Sequence, residues 1–345
     1  MTRRTATLAF AGAILVALVA VAALLPVPYV VYSPGPMENA LGDGVISVDG
    51  VETYDTDGVL NLTTVGVTPA DARLDLLTAL TAWFDPERAI VPRDRVYRPD
   101  DTSEEIRERN ARYMQDSQMA AKAAALRELG YEVSETVVIE MVVDGSPADG
   151  TLEPGDVVVS VDGDSVGTPE DVVRAVRAHE PGDSVEVVVN RDGESLTFVV
   201  DTVASDKGHA QVGAGVTVGY DFPVQVEVHI DDRIGGPSAG MIFALAIYDT
   251  LTPGAMLAGL RVAGTGEITG DGEIGAIGGI QQKIAAAAGD GIDLFLAPAS
   301  NCGDVAGARN GDMQVVSIET LDDAIDAVEA AAAGDTENLP SCPVS

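Results

Sequence analysis

Residues 235–248 read Gly-Gly-Pro-Ser-Ala-Gly followed by Met-Ile-Phe-Ala-Leu-Ala-Ile-Tyr. This order predicts a glycine-rich turn, a serine and then a buried helix. Ser238 would lie at the helix N-terminus, where unpaired backbone N–H groups and the helix dipole favour negative charge. It is therefore either an ordinary helix cap or a nucleophile whose oxyanion is stabilised by backbone N–H groups in the region of Gly236 and Ala239.

The same stretch satisfies the G-x-S-x-G pattern of α/β-hydrolases, in which the acid and then the histidine follow the serine. His179, His209 and His229 all precede Ser238, so this order is excluded. His229 lies nine residues before Ser238, on the polar face of the alternating strand 224–230. It fits a solvated strand histidine better than a general base.

Lysine is scarce, and only Lys122, Lys207 and Lys283 occur among the 20 Lys and Arg residues. Lys283 shares one face of a predicted helix with Ile280 and Ile284. Burial on such a face disfavours the charged amine and lowers its pKa from about 10.4. A neutral Lys283 could take the proton of a serine hydroxyl, as in Ser–Lys variants of the catalytic triad. On this helix alone, the alternative is a lysine whose stem packs while its ammonium reaches solvent.

The composition is that of a globular protein, with 46% hydrophobic residues and a formal net charge of −35 over 345 residues. An acidic surface repels nucleic-acid phosphates, so we expect no nucleic-acid partner. Neither Cys302 nor Cys342 belongs to a Cys/His cluster with metal-ligand spacing, so we expect no metal site. The two cysteines either form a disulfide outside the cytoplasm or remain separate thiols.

The N-terminal segment 6–25 is uncharged and long enough to cross a bilayer as a helix. Because Arg3 and Arg4 precede it, the positive-inside rule keeps the N-terminus in the cytoplasm and the rest of the chain outside. We predict a single-pass anchor in the cell membrane. The alternative is a cleaved signal peptide, since residues 20–22 (Ala-Val-Ala) have the small-x-small pattern of a cleavage site.

Residues 131–203 predict a small β-rich domain. Gly-Ser-Pro-Ala (145–148), Leu-Glu-Pro-Gly-Asp (152–156) and a helix capped by Thr168 follow its first strand. These motifs resemble a PDZ domain of the bacterial, permuted kind, a β-sandwich or barrel-like fold. The resemblance implies a peptide-binding groove between the first strand and the helix, lined by Val137, Val138, Ile139 and Val173. A PDZ fold used only as a spacer is the alternative.

Three further blocks appear in order: Gly-Pro-Ser-Ala-Gly (236–240), Thr-Gly-Glu-Ile-Thr (265–269) and Ile-Gly-Gly-Ile-Gln-Gln-Lys (277–283). Together they resemble the α/β proteolytic domain of Lon peptidases over residues 210–333. The resemblance implies that Ser238 is the nucleophile, that Lys283 is the general base, and that Thr265 orients the lysine amine. Many Lon peptidases carry an acidic residue three positions before the serine, where this chain has Gly235.

With an anchor and a PDZ domain, the whole chain looks like the membrane-anchored, PDZ-containing Lon-like peptidases of Gram-positive bacteria. Lon proper carries an ATPase module, but no G-x-x-x-x-G-K-[ST] motif occurs here, so we expect no ATP and no other cofactor. We predict a serine endopeptidase that cleaves unfolded or exposed segments of extracytoplasmic proteins, selected by the PDZ domain. The resemblance also suggests a homo-oligomer, a hexameric ring.

Two alternatives to this function stay open. The chain could be a non-catalytic PDZ adaptor or assembly platform at the membrane, or a peptidase that processes only itself.

The predicted fold class is a mixed α+β and α/β multidomain chain with an N-terminal transmembrane helix. The predicted domains are the anchor (6–25), an α/β region of uncertain role (29–130), the PDZ domain (131–203) and the Lon-type proteolytic domain (210–333). Within residues 29–130 we predict helices over 70–84 and 103–129. The second is predicted to begin with a capping box of Thr102 and Glu105.

Overall fold

The computed structural model describes residues 3–99 and 101–342, except the side chains of residues 3–6 and 22–24. The α-helices are α1 (Arg3–Leu24), α2 (Leu76–Phe84), α3 (Ser103–Glu128), α4 (Pro169–Arg177), α5 (Gly240–Leu251), α6 (Ile280–Gly289), α7 (Cys302–Val305) and α8 (Leu321–Ala332). Short 3-10 helices cover Arg93–Arg95 and Ala299–Asn301.

The strands are β1 (Pro26–Val27), β2 (Tyr29–Asn39), β3 (Ile46–Asp49), β4 (Val59–Val67), β5 (Leu74–Asp75), β6 (Ala89–Pro92), β7 (Ser134–Val142), β8 (Val157–Val161), β9 (Asp164–Ser165), β10 (Ser184–Arg191), β11 (Glu194–Asp201), β12 (Val203–Ala204), β13 (Ala210–Gln211), β14 (Ala214–Asp221), β15 (Gln225–Val228), β16 (Arg261–Gly264), β17 (Glu267–Ile268), β18 (Ile274–Gly275), β19 (Leu294–Pro298) and β20 (Gln314–Ile318).

The chain folds into two compact units, and their limits differ from the predicted domains. One unit combines residues 1–130 with residues 224–345, and the other consists of residues 131–223. Residues 29–130 therefore belong to the same unit as Ser238, and residues 210–223 belong to the unit with the PDZ-like motifs. The reason is strand pairing between segments far apart in the sequence, which no local pattern reveals.

A six-stranded mixed sheet organises the first unit, in the order β20-β19-β16-β4-β2-β6. The strands β20, β19, β16 and β4 pair in parallel, whereas β2 pairs antiparallel with both β4 and β6. The N-terminal strands β4 and β2 thus lie inside the sheet whose strand β16 ends just before Thr265. Thr63 of β4 donates a buried hydrogen bond to the Gly264 carbonyl at 3.0 Å, which supports that end of β16.

Helices α3 and α5 pack together in this unit. The first two turns of α5, from Gly240 to Ile247, are entirely buried, which explains a run with no polar face. The predicted capping box at the start of α3 is confirmed, since Thr102 and Glu105 exchange side-chain-to-backbone hydrogen bonds. Helix α2 is shorter than predicted, because Leu74 and Asp75 pair with β1 as strand β5.

The second unit is an antiparallel sheet in the order β11-β10-β8-β7-β14, with β9 pairing β8. Its core consists largely of valines from alternate strand positions, together with Val172 and Val176 of α4. The predicted helix start is confirmed: Thr168 and Asp171 form a capping box, with Pro169 at the first helical position. Strand β14 is the last in the sheet.

The predicted membrane anchor coincides with α1. Among the side chains that the structure describes, no helix has both the length and the apolar character needed to cross a bilayer. Residues 6 and 22–24 of the predicted anchor lie outside those side chains. The anchor stays a prediction.

The two cysteines are joined: Cys302 at the start of α7 forms a disulfide with Cys342 near the C-terminus. Of the two states left open by the sequence, the structure therefore shows the disulfide.

Candidate active site

Ser238 lies immediately before α5, in a loop that α3 holds from one side. The Gly236 N–H donates a hydrogen bond to the Asn110 carbonyl at 2.8 Å. The Ser117 hydroxyl donates to the Pro237 carbonyl at 2.9 Å, and the Ser117 side chain is buried. Two residues of α3 therefore fix the backbone on the N-terminal side of the serine.

Close approach to α3 explains two glycines of the loop. A Cβ atom on Gly235 would lie 2.9 Å from the Asn110 Cβ, and one on Gly240 would lie 2.6 Å from the Ser117 Oγ. Both distances are below van der Waals contact, so any side chain would force the loop away from the helix. Close packing against Asn110 thus leaves no room for an acidic side chain at position 235 of this chain.

A second set of bonds ties the serine to the segment after β16. The Gly266 N–H donates to the Ser238 carbonyl at 2.9 Å, and the Met241 N–H of α5 donates to the Gly266 carbonyl at 3.2 Å. The Thr265 hydroxyl also donates to the Ser238 carbonyl, at 2.9 Å. The loop that carries Ser238 is therefore held between α3 and the end of β16.

Lys283 projects from the first turn of α6 into this space. Its Nζ atom lies 2.6 Å from the Ser238 Oγ and 2.8 Å from the Thr265 Oγ1. The side chain is only 1% exposed, and its neighbours Ile280 and Ile284 on the same helix face are buried too. The alternative of a lysine that reaches solvent is excluded by this burial.

Burial also lowers the pKa of the Lys283 amine. The pKa falls from 10.5 to about 7 because the charged form loses its hydration. A large fraction of the amine is therefore neutral near neutral pH. A neutral amine has one lone pair, which can accept the proton of the serine hydroxyl.

Thr265 is fully buried and uses its hydroxyl in two directions. Because its own proton goes to the Ser238 carbonyl, its oxygen faces the Lys283 amine as an acceptor. An amine hydrogen directed at Thr265 leaves the lone pair free to face the Ser238 hydroxyl. This geometry fits the orienting role that the family resemblance implied for Thr265.

For Thr265→Val, we expect kcat to fall about 10- to 100-fold with little change in KM, because the valine keeps the shape but cannot accept from the amine. Thr265→Ser, which keeps the hydroxyl, should retain most of the activity. The measurement is steady-state hydrolysis of a fluorogenic peptide. A rise in KM at constant kcat in the valine variant would contradict the orienting role.

The predicted oxyanion region is only partly supported. The Gly236 N–H is occupied by the Asn110 carbonyl, so the prediction that it faces an oxyanion is wrong. The Ala239 N–H has no acceptor among the described residues and lies at the N-cap of α5, where the helix dipole favours negative charge. Of the two predicted groups, only Ala239 remains a candidate donor.

A cleft of about 980 Å³ opens beside the Ser238 and Lys283 side chains. Its apolar wall includes Met37, Val65 and Ile277, and its charged lining residues are Glu38, Asp231, Arg233, Glu267 and Lys283. The cleft is large enough for an extended peptide segment.

His229 takes no part in this cleft. Its ring lies 3.4 Å from the Ser47 hydroxyl and 3.3 Å from the Glu227 carboxylate, with most of the side chain exposed. The interpretation of His229 as a solvated strand residue is confirmed.

The groove of the second unit differs from the predicted one. β7, which carries Val137, Val138 and Ile139, is paired with β8 on one side and β14 on the other. It has no free edge to which a peptide could add, so the prediction that these three residues line the groove is wrong. A cavity of about 780 Å³ lies instead between α4 and β14, lined by Val173 as predicted and by Val216.

The motifs identified Ser238, Thr265 and Lys283 but missed Asn110 and Ser117. Both lie on α3, more than 100 residues before the serine, in a stretch with no recognisable motif. Their contacts with the loop depend on the insertion of residues 131–223 within the first unit, so no sequence signal could reveal them.

Comparison with known families assigns both parts of the chain. Residues 217–330 match the model of the Lon protease (S16) C-terminal proteolytic domain, and residues 113–202 match the model of the PDZ domain. The chain therefore carries a PDZ domain and a Lon-type proteolytic domain, as its motifs predicted.

Curated relatives match only over short stretches. The Lon protease of Campylobacter concisus is 36% identical over 145 residues, which are 41% of this chain and 18% of the relative. The Lon protease of Xanthomonas oryzae is 34% identical over 118 residues, which are 32% of this chain and 14% of the relative. A probable periplasmic serine endoprotease DegP-like of Hahella chejuensis is 33% identical over 95 residues, 26% of this chain and 20% of the relative. The chain thus spans no more than a fifth of the length of these relatives, and together with the proteolytic domain they support the serine peptidase class.

The similar solved structures each cover about a quarter of this chain. A solution structure from Geobacillus thermodenitrificans is 29% identical and covers 23% of this chain and 92% of its own, with a TM-score of 0.21. The crystal structure of the PDZ domain of an SdrC-like protein from Listeria monocytogenes is 19% identical and covers 24% of this chain and 87% of its own, with a TM-score of 0.23.

Proposed function

We propose that this chain is a serine endopeptidase in which Ser238 is the nucleophile and Lys283 is the general base. The observation that carries the proposal is the 2.6 Å separation of Lys283 Nζ and Ser238 Oγ around a buried amine with a pKa near 7. Burying a lysine destabilises a fold unless it is neutral or paired. A non-catalytic adaptor gains nothing from such an amine, so the arrangement favours the enzyme over the adaptor.

The reaction follows from this geometry. Lys283 takes the hydroxyl proton as Ser238 Oγ attacks the peptide carbonyl, and the Ala239 N–H at the start of α5 faces the developing oxyanion. The ammonium then gives its proton to the leaving amine, which departs as the C–N bond breaks and an ester remains on Ser238. In the second half, Lys283 deprotonates a water molecule that attacks the ester. The bond between the acyl carbon and Ser238 Oγ then breaks, the Lys283 ammonium returns its proton to the serine oxygen, and the carboxylic acid product leaves.

Covalent labelling tests this proposal directly. A fluorophosphonate probe should add to Ser238 in the intact protein, with the mass increase located by peptide mass spectrometry, and Ser238→Ala should gain no mass. Labelling should slow as the pH falls below 7, because protonated Lys283 no longer activates the serine. If the folded protein formed no adduct at any pH and also left unfolded casein uncut, the result would favour the adaptor.

We further propose that the substrates are unfolded chains or exposed segments, cleaved without ATP. The printed sequence contains no P-loop motif, and a cleft of this size takes an extended segment rather than a folded domain. Mixing the active protein with its Ser238→Ala copy distinguishes cleavage in trans from self-processing. Cleavage of unfolded casein but not of the copy would exclude a purely self-directed role.

The PDZ domain is proposed to select these substrates through the groove between α4 and β14. β14 offers an open sheet edge, and Val173 and Val216 provide an apolar floor beside it. Val173→Asp should lower kcat/KM for unfolded casein about 10-fold while a short fluorogenic peptide is cleaved as before. Val199→Asp, on exposed β11, is the matched control. Equal loss on both substrates would contradict a selective role.

The proposed location is outside the cytoplasm, on a membrane through residues 6–25. The Cys302–Cys342 disulfide supports it, because structural disulfides persist mainly in oxidising compartments. In cells, both cysteines should resist thiol alkylation until a reductant is added, and removal of residues 1–25 should release the protein from the membrane fraction. A reduced, readily alkylated pair would contradict this location.

Assembly into a hexameric ring is also part of the proposal, carried by the likeness to Lon proteases. Native mass spectrometry at micromolar concentration would show six copies per particle if it is right, and a monomer at all concentrations would refute it.

A further inference from the structure

The active-site cleft carries more negative than positive side chains. Its carboxylates are those of Asp231, Glu38 and Glu267, and its cations are Arg233 and Lys283. Arg233 is already committed, since its Nε donates to the Asp231 carboxylate at 2.9 Å. With Lys283 largely neutral, the cleft has an excess of negative charge.

Glu267 is a cleft carboxylate without a partner, and unlike Glu38 it has no arginine among the described residues close enough to act on its charge. Within the part of the chain that the structure describes, its side chain makes neither a hydrogen bond nor an ion pair. Partial burial raises the pKa of this carboxyl because nothing compensates for the lost hydration. A cation placed next to Glu267 would relieve this penalty.

The position of Glu267 brings it within reach of a substrate. It follows Thr265 by two residues and is the first residue of β17. Its cross-strand partner in the β17–β18 pair is Gly275, which has no side chain to cover the carboxylate. Glu267 therefore lines the same cleft as Ser238 and Lys283.

The surroundings of Glu267 define what kind of group fits. The lining residues Met37, Val65 and Ile277 supply apolar surface in the same cleft. An apolar wall with a carboxylate at one side matches a side chain with a long aliphatic stem and a positive tip. Lysine and arginine have this form.

We propose that Glu267 is a specificity-determining residue that binds a lysine or arginine side chain of the substrate close to the scissile bond. The proposal rests on the peptidase function proposed above and names its substrate class, extended segments that carry a basic residue. Glu38 also lines the cleft and contributes negative potential, but the positive charge of the nearby Arg233 partly offsets it.

The experiment compares two fluorogenic peptides that differ at one position next to the scissile bond, lysine in one and norleucine in the other. Norleucine keeps an aliphatic stem but has no charge. We expect kcat/KM for the lysine peptide to exceed that for the norleucine peptide about 10- to 100-fold. In Glu267→Gln this ratio should fall to near one, and 0.5 M salt should reduce it in the unmodified protein.

The matched control is Glu273→Gln, since Glu273 lies beside β18 but does not line the cleft. This variant should keep the full lysine preference. Glu267→Lys should reverse the preference when glutamate replaces lysine in the peptide. A preference that survives Glu267→Gln, or an unmodified protein that cleaves both peptides equally, would overturn the proposal.

A binding measurement separates failure of this proposal from failure of the peptidase function. Fluorescence anisotropy with Ser238→Ala compares the affinities of the two peptides without turnover. The lysine peptide should bind at least about 10-fold more tightly, and the difference should vanish when Glu267→Gln is added. Equal affinities would refute the role of Glu267 even if no peptide is hydrolysed.

Discussion

Replacing Ser238 with alanine is expected to lower kcat for unfolded casein and for short peptides by at least about 10⁴-fold, because no other group can form the ester. The fold should survive, because the substitution removes only the contact of the hydroxyl with the Lys283 amine. The Ser238 carbonyl keeps its hydrogen bonds from Thr265 and Gly266. The measurement is hydrolysis at enzyme concentrations high enough to detect a 10⁴-fold loss, together with thermal unfolding.

Ser195→Ala is the matched control, because Ser195 is an exposed serine near the start of β11, far from the cleft in sequence. It should cleave both substrates normally. If Ser238→Ala retained more than a few per cent of the activity, the bond cleavage would have to start from another nucleophile, and the assignment of Ser238 would be wrong.

Replacing Lys283 is expected to have two opposite effects, on activity and on stability. Lys283→Met removes the base, and Lys283→Arg puts in its place a guanidinium that cannot lose its proton at any accessible pH. Both should lower kcat by about 10³-fold or more. Lys207→Arg, at an exposed position, should cleave normally and shows that loss of a lysine as such is harmless.

The stability effect follows from the lowered pKa of Lys283. On folding, the pKa of this amine falls from 10.5 to about 7. The amine therefore costs no stability above pH 10.5, and stability is lost as the pH falls from 10.5 to about 7, where the folded protein also binds the proton. The loss is on the order of 5 kcal/mol. Methionine has a similar size and no charge, so Lys283→Met should raise the unfolding free energy below pH 7 by roughly 2 to 4 kcal/mol.

Chemical denaturation at pH 6 and pH 9 measures this difference. The advantage of Lys283→Met over the unmodified protein should shrink at pH 9, where the native amine is neutral. A Lys283→Met variant that is less stable than the unmodified protein at pH 6 would contradict a buried amine with a lowered pKa.

The sequence was sufficient to identify the three side chains that meet at the candidate site, because each of them lies in a short motif. The turn around Ser238, the segment from Thr265 and the helix of Lys283 each have a local pattern, and family resemblance put them together. The apolar face of Lys283 correctly indicated burial, because helical spacing alone decides which residues share a face.

The sequence was insufficient wherever two distant segments meet. No local pattern shows that β4 pairs with β16 across about 200 residues. The sequence therefore predicts residues 29–130 as a separate region, although they form one unit with residues 224–345. The same limit placed the peptide groove on β7, whose free edge is in fact covered by β14. The Gly236 N–H was misjudged for the same reason, because its acceptor is Asn110 on a remote helix.

The proposed catalysis requires Lys283 to be a neutral amine at neutral pH. With only three lysines in the chain, a sample labelled with carbon-13 and nitrogen-15 in lysine alone gives a spectrum simple enough for assignment by Lys283→Met. A pH titration of the side-chain signals then reads the pKa of this amine directly. We expect the signal that disappears in Lys283→Met to titrate with a midpoint near 7, and a midpoint above about 9 would contradict the claim.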